Sequence, residues 1–246
     1  MEIKIAIAKI DKFGSGISGD TAEVIERPNG GLSVVLADGQ MDDQDNKAIS
    51  TMVSHRIIEH ISTGARDSSA VRAASNNIFV EYGGRVQANL NILSVDLQSN
   101  TILVSRNSPI PVFLIRDEIV DVLTCDCEPI GGHADISPTI VELEISPGTA
   151  IILLTDGVYN AGSGNQTSLD FGTILEALFD EQEPTAKEIA DFLLNRAIRL
   201  DDGRPKDDMS VVVMLITAEP TDHIRRMSVT MSLEEKSSDL SLRGPA

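Results

Sequence analysis

Tryptophan is absent from this 246-residue chain, and only six phenylalanines and two tyrosines contribute to an apolar fraction of 41%. Any core must therefore be aliphatic. Basic residues are also scarce, 20 against 38 acidic, for a formal net charge of −18. Such a surface repels a polyanion unless cations are concentrated locally, and no lysine/arginine run occurs, so a nucleic-acid-binding protein is excluded. The same balance argues against docking on an anionic membrane. No apolar stretch approaches the roughly 18 residues of a membrane span. The first ten residues alternate apolar and charged side chains as a strand does, and lack the unbroken apolar segment of a signal peptide. Cysteine is limited to Cys125 and Cys127, too few for a disulfide framework. The pair reads as reduced thiols in a chain expected to be cytoplasmic, a redox-sensitive pair being the other reading.

What the chain does have is period-two apolar patterning. It predicts strands at Glu2–Ala8, Leu32–Ala37, Ala88–Asp96, Thr101–Arg106, Pro111–Ile115, Ile119–Leu123, Thr139–Ile145, Ala150–Thr155 and Met209–Ile216. Helical spacing appears in Lys47–Ser62 and Ser69–Tyr82, and again in Leu169–Phe179 and Thr185–Leu200, the last opening on a Thr185-to-Glu188 capping box. Strands in runs, interrupted by helices in pairs, do not make a doubly wound parallel sheet. They favour an α+β class with two packed antiparallel β-sheets flanked by helix pairs. One folded domain is expected over residues 1–217. Residues 218–246, poor in aliphatic side chains, read as a peripheral or partly disordered tail. Within the tail, Arg225-Arg226-Met227-Ser228 resembles a basophilic kinase site, and Met227–Leu233 could instead add an edge strand or dimer contact.

Three apolar strands end at, or begin from, an aspartate: Asp38-Gly39, Asp156-Gly157 and Asp207-Asp208. A carboxylate at the end of a buried strand is held by rigid backbone, as a site of fixed geometry requires. A glycine beside it lets main chain approach an ion and offer a carbonyl oxygen. Asp20, in Ser18-Gly19-Asp20, stands in a glycine-rich turn just before a short strand. Each Asp-Gly alone is an ordinary turn; their conjunction in one antiparallel framework is the signal. An all-oxygen donor set without histidine or cysteine spacing for zinc points to Mg²⁺ or Mn²⁺, and such clusters commonly hold two ions for attack by water on phosphorus.

The order Ser18-Gly19-Asp20, Ala37-Asp38-Gly39, Asn107-Ser108-Pro109-Ile110-Pro111, Glu128-Pro129-Ile130-Gly131, Leu154-Thr155-Asp156-Gly157-Val158 and Asp207-Asp208-Met209-Ser210 resembles the metal-dependent protein phosphatases of the 2C-like superfamily. It is most similar to their bacterial branch, typified by the sporulation stage II protein E phosphatase and the phosphatases of stress-response sigma-factor pathways. The resemblance implies a sandwich of two antiparallel sheets and hydrolysis of phosphoserine or phosphothreonine by a metal-bridging water, without a phosphoenzyme. It implies that Asp38 bridges two ions, that Asp156 and Asp207 complete one ion's protein ligands, and that Asp20 and the Gly39 carbonyl serve the other. Asp208 would support the ligands without being one. The implied substrate is a phosphorylated regulatory protein similar to an anti-sigma-factor antagonist.

The chain departs from that pattern in places. Gln40 to Asn46 replaces a glycine-rich loop, and its Asp42, Asp43 and Asp45 could fill a further metal position or act as solvated charge and helix capping. Asn107-Ser108 stands where Gly-His often precedes the Pro-x-Pro strand. No histidine adjoins Asp38 as a general acid and no arginine precedes Asp20 to hold phosphate. Arg204, and after it Lys206, in the loop before Asp207, is a candidate phosphate contact, the other reading being a solvent-facing cation that balances Asp201 and Asp202. Two further readings stay open: a non-catalytic metal- or partner-binding module on the same fold, and a phosphatase of small esters.

Overall fold

Among the described residues the alternating aliphatic stretches resolve into ten strands, because each must bury at least one face, and here most bury both. The computed structural model describes residues 1–40, 46–163, 168–181, 183–219 and 224–230. One five-stranded antiparallel sheet has the order β1-β10-β9-β6-β7, made of Glu2–Ile10, Met209–Thr217, Ala150–Leu154, Val112–Arg116 and Ile119–Leu123. The other has the order β2-β3-β4-β5-β8, made of Asp20–Glu26, Leu32–Gln40, Gln87–Asp96, Thr101–Asn107 and Thr139–Glu144. The α+β reading with two packed sheets therefore holds. The strand after Asp20 proves to be seven residues long and begins at Asp20 itself.

Three apolar layers follow from the alternation. Between the sheets, Val34 and Leu36 of β3 meet Leu153 of β9 and Val212 and Met214 of β10. On the outer face of the second sheet, Val35 and Ala37 pack under α1 (Asn46–Ser62) and α2 (Asp67–Tyr82), whose Ile57, Ile61, Val71 and Ile78 are fully buried. On the outer face of the first sheet, Ile152, Val211 and Val213 pack under α4 (Phe171–Glu181) and α5 (Ala186–Leu200). Each such aliphatic side chain removed from water stabilises the fold by about 1.5–3 kcal/mol before entropy is counted. The capping box is formed: Glu188 N–H donates to Thr185 Oγ1 at 3.3 Å and Thr185 N–H to Glu188 Oε2 at 2.8 Å. A short helix unseen in the sequence, α3 (Asp156–Tyr159), starts at the end of β9.

Two differences from the sequence reading stand outside the core. Cys125 and Cys127, expected as free thiols, are joined as a disulfide across Asp126, their Cα atoms 5.3 Å apart; the one-residue spacer brings them within disulfide reach. In the tail, residues 224–230 carry no strand, and 231–246 lie outside the described residues, so the proposed edge strand is not seen over its first four positions. The loop of Asp42, Asp43 and Asp45 lies outside them too. Among the described residues no helix is long and apolar enough to cross a membrane.

Candidate metal centre

Along the inner faces of both sheets, the side chains change from aliphatic to polar at one end. On β3 the inward positions run Val34, Leu36, Asp38; on β4 they run Val95, Leu93, then Asn91 and Asn89. On β5 Ile102 and Val104 give way to Arg106, and on β10 Met214 and Val212 give way to Ser210. Asp20 opposes Asp38 in the β2–β3 ladder, and Asp38 opposes Asn89 in the β3–β4 ladder. The ladder thus sets two carboxylates and an amide side by side on one face.

Asp20 is buried and ties the two sheets together. Its Oδ2 accepts from Ser210 Oγ at 2.6 Å and from Thr155 Oγ1 at 3.0 Å, both on the other sheet's side of the cleft. Thr155 Oγ1 in turn accepts from Ser210 N–H at 2.9 Å. Lys9 and Lys47 both donate to the Asp20 main-chain carbonyl at 2.9 Å. Burial pushes the Asp20 carboxyl up to about 6, and the Asp208 charge adds to this, while the two hydroxyls and Lys9 oppose it.

Asp38 is pushed further, to about 8, first by burial and then by the charges of Asp20, Asp156 and Asp207; the amide of Asn89 opposes the shift. Asp156, the first residue of α3, is raised by burial and by Asp207. Four carboxylates from four segments therefore sense one another's charge. The chain permits this approach at two glycines. A Cβ on Gly157 would lie 2.2 Å from the Asp208 carbonyl oxygen, and one on Gly39 would lie 2.4 Å from the Asn46 carbonyl oxygen at the start of α1.

Asp208 behaves differently from its neighbours. Both its oxygens are taken by main chain: Oδ1 accepts from Lys12 N–H at 2.9 Å and Oδ2 from Gly19 N–H at 2.8 Å. Arg204 stands over the Phe13 ring, its Cζ 5.2 Å from the centroid. The sequence reading missed Asn89, Asn91 and Arg106. Asn89 and Asn91 line a cavity of about 10 Å³ together with Asp38 and Asp156, and each has no partner for its Oδ1 among the described residues. Arg106 is 1% exposed and donates through Nη2 to the Ile110 carbonyl, with no carboxylate partner among the described residues. The available signal was a polar residue at an inward position of an otherwise aliphatic strand.

The donor chemistry fits hard divalent cations: aspartate oxygens with a nearby main-chain carbonyl, and raised carboxyl groups whose repulsion an ion would relieve. As the side chains stand, no group of three acidic, histidine or cysteine side chains among the described residues closes on one ion. Main-chain carbonyls and waters would have to complete the shell of any cation bound there.

The fold is that of PP2C-type phosphatase domains. It superposes on the PP2C phosphatase domain with a fragment of the regulatory domain of the cell fate determinant SpoIIE from Bacillus subtilis, with a TM-score of 0.75 at 20% identity, covering 88% of this chain and 64% of that one. The catalytic domain of the serine/threonine protein phosphatase PstP, in complex with two manganese ions, gives a TM-score of 0.68 at 20% identity, with 87% and 98% covered. The sequence model of the family described as stage II sporulation protein E (SpoIIE) matches residues 28–217, and the chain belongs to that family. The stage II sporulation proteins E of Priestia megaterium and Bacillus subtilis (strain 168) are each 22% identical to it, over 86% and 87% of this chain. The matched region makes up 36% and 26% of those relatives, so the chain spans about a third of their length or less.

Proposed function

We propose that the chain is a Mn²⁺- or Mg²⁺-dependent protein serine/threonine phosphatase acting on a phosphorylated regulatory protein, of the kind that an anti-sigma-factor antagonist represents. The observation that carries this reading is the convergence of Asp20, Asp38, Asp156 and Asp207 at the polar end of both sheets. Asp38, Asp156 and Asp207 would hold one ion, and Asp38, Asp20 and the Gly39 carbonyl would hold the other. Two such ions, when bound, supply an acidified water and offset charge on the phosphoryl oxygens. The chain's own residues do the rest. Ser210 and Thr155 orient Asp20, Asn89 orients Asp38, and Asp208 holds main chain beside Asp20 and Asp207. The family membership and the manganese-bound relative of the same fold support the choice of ion and reaction.

A second reading, a non-catalytic metal- or partner-binding module, is favoured by the chain's departures from the pattern: no arginine precedes Asp20 to hold phosphate, and Gln40 to Asn46 replaces a glycine-rich loop. Hydrolysis of p-nitrophenyl phosphate with Mn²⁺, with and without chelator, on wild type and Asp38→Asn separates the two. The phosphatase reading requires turnover that chelator abolishes and that Asp38→Asn lowers by roughly 100-fold or more. Turnover absent from wild type, or indifferent to both changes, leaves the binding module.

A further inference from the structure

The loop between β1 and β2 is tethered, yet it presents apolar side chains to water. Its two ends are stapled to one carboxylate, Asp208, through Lys12 N–H at 2.9 Å and Gly19 N–H at 2.8 Å. Between the staples Phe13 N–H donates to the Pro205 carbonyl at 2.8 Å, and Ser15 N–H closes a turn onto the Lys12 carbonyl at 3.0 Å. Gly14 and Gly16 take φ of +84° and +78°, which only glycine adopts readily. A backbone so held keeps Phe13 46% and Ile17 68% exposed, in a chain with only eight aromatic residues.

Arg204 completes the patch. Its guanidinium lies over the Phe13 face, 5.2 Å from the ring centroid, a cation–π arrangement that leaves the guanidinium edge free. Among the described residues it pairs with no carboxylate, in a chain whose acidic excess is 18. The patch borders the metal centre on two sides: Gly19 precedes Asp20, and Pro205 lies two residues before Asp207. An exposed apolar pair and an unpaired planar cation, rigidly held next to the reacting centre, suit a peptide segment with an apolar side chain and a carboxylate beside its phosphorylated residue. The acidic surface at large would repel that carboxylate, whereas here Arg204 and the exposed Lys12 of the same loop supply positive charge.

Resting on the phosphatase reading, we propose that Phe13, Ile17 and Arg204 form a docking rim for the segment of the substrate protein that carries the phosphorylated residue. The rim sets sequence preference, and Asp208 positions it. The probes are two synthetic phosphoserine peptides, one with leucine and aspartate beside the phosphoserine and the other with glycines there. Wild type with Mn²⁺ is expected to favour the first by about tenfold in kcat/KM, and Phe13→Ala and Arg204→Ala each to bring the ratio close to one. Equal kcat/KM for the two peptides on wild type overturns the rim. So does a ratio that Phe13→Ala leaves unchanged. If Arg204→Ala lowers kcat/KM equally on both peptides and on p-nitrophenyl phosphate, Arg204 touches the phosphate itself and its docking role falls. If Phe13→Ala changes the sedimentation of the protein and not the peptide ratio, the patch is a contact between copies of this chain. Peptide binding by fluorescence anisotropy, on the same variants, keeps the two proposals apart: discrimination without turnover overturns the phosphatase reading alone, and turnover without discrimination overturns the rim alone.

Discussion

Asn89 and Asp38 face each other across the β3–β4 ladder, and Asn89 Nδ2 donates to Asp38 Oδ2 at 3.2 Å. The amide favours the ionised carboxylate against the burial and repulsion that raise it to about 8. Asn89→Leu keeps the bulk and removes the donor. The Asp38 carboxyl then rises further, and protons compete better with metal. Isothermal titration is expected to show Mn²⁺ affinity about tenfold weaker at pH 7, within the range of lost outer-shell hydrogen bonds, with partial recovery at pH 9. A loss that is equal at both pH values would mean that Asn89 supports the strand and not the carboxylate.

The raised carboxyls also set how stability depends on pH without metal. Asp38 at about 8 and Asp20 at about 6 bind protons more tightly folded than unfolded, where the ordinary value is 3.8. Between pH 4 and 8 the folded state therefore holds more protons, and its stability falls as pH rises through that window, levelling off above it. Thermal unfolding in chelator is expected to show Tm declining over this range. Asp38→Asn should flatten the upper half of the decline, and saturating Mn²⁺ should reverse it. A Tm that rises steadily from pH 5 to 8 in chelator contradicts the assignment.

Much of this site was legible because aspartate interrupts an aliphatic strand so visibly. Val34, Leu36 and Asp38 share one face, and a carboxylate in that series marks either an edge or a site. Asn89, Asn91 and Arg106 follow the same rule but were overlooked, because period-two alternation separates two faces without saying which one meets water. Only the helix pairs settle that: α1 and α2 cover the face of Leu90 and Ile92, leaving Asn89 and Asn91 turned between the sheets. α3, four residues long, carries too little periodicity to be read. The role of Asp208 depends on contacts from residues 12 and 19, nearly two hundred positions away in sequence, and no local pattern encodes it.

At the other end of the second sheet, Arg27 and Asp67 form a buried ion pair at 2.7 Å, with Ser33, Ser94 and Ser105 supplying further hydrogen bonds. Ser33 is five residues along β3 from Asp38, roughly 17 Å. Asp67→Ala strands a buried guanidinium and is expected to cost about 3–5 kcal/mol in urea unfolding. At that distance the metal centre is not touched, so Mn²⁺ affinity of the folded fraction should be unchanged. A large loss of affinity with little loss of stability would reverse the assignment.

Arg106 presents the opposite case. Its guanidinium is buried, burial lowers its pKa, and its Nε has no partner among the described residues. A buried charge without a carboxylate contributes little and costs desolvation, so an apolar residue of similar length is tolerated or better. Arg106→Met is expected to leave the urea midpoint equal to wild type or higher. A loss above about 2 kcal/mol, more than one neutral hydrogen bond is worth, would show that the guanidinium has an anionic partner in solution.

Gly157 tests how closely the metal centre is packed. A Cβ there would meet the Asp208 carbonyl oxygen at 2.2 Å and Asp207 Cβ at 3.2 Å, both at the entry to β10. Main chain cannot give way cheaply, so Gly157→Ala must push α3 from β10 and with it Asp156 from Asp207. Both a lower Tm and weaker Mn²⁺ binding are expected, the second by about tenfold or more, as for other displaced ligands. Gly172→Ala is the control: it lies in α4, where a Cβ would meet only Asp170 Oδ1 at 3.5 Å. There the gain in helix propensity, up to about 1 kcal/mol, should raise Tm and leave metal binding alone. If Gly157→Ala binds Mn²⁺ as wild type does, Asp156 and Asp207 do not share an ion.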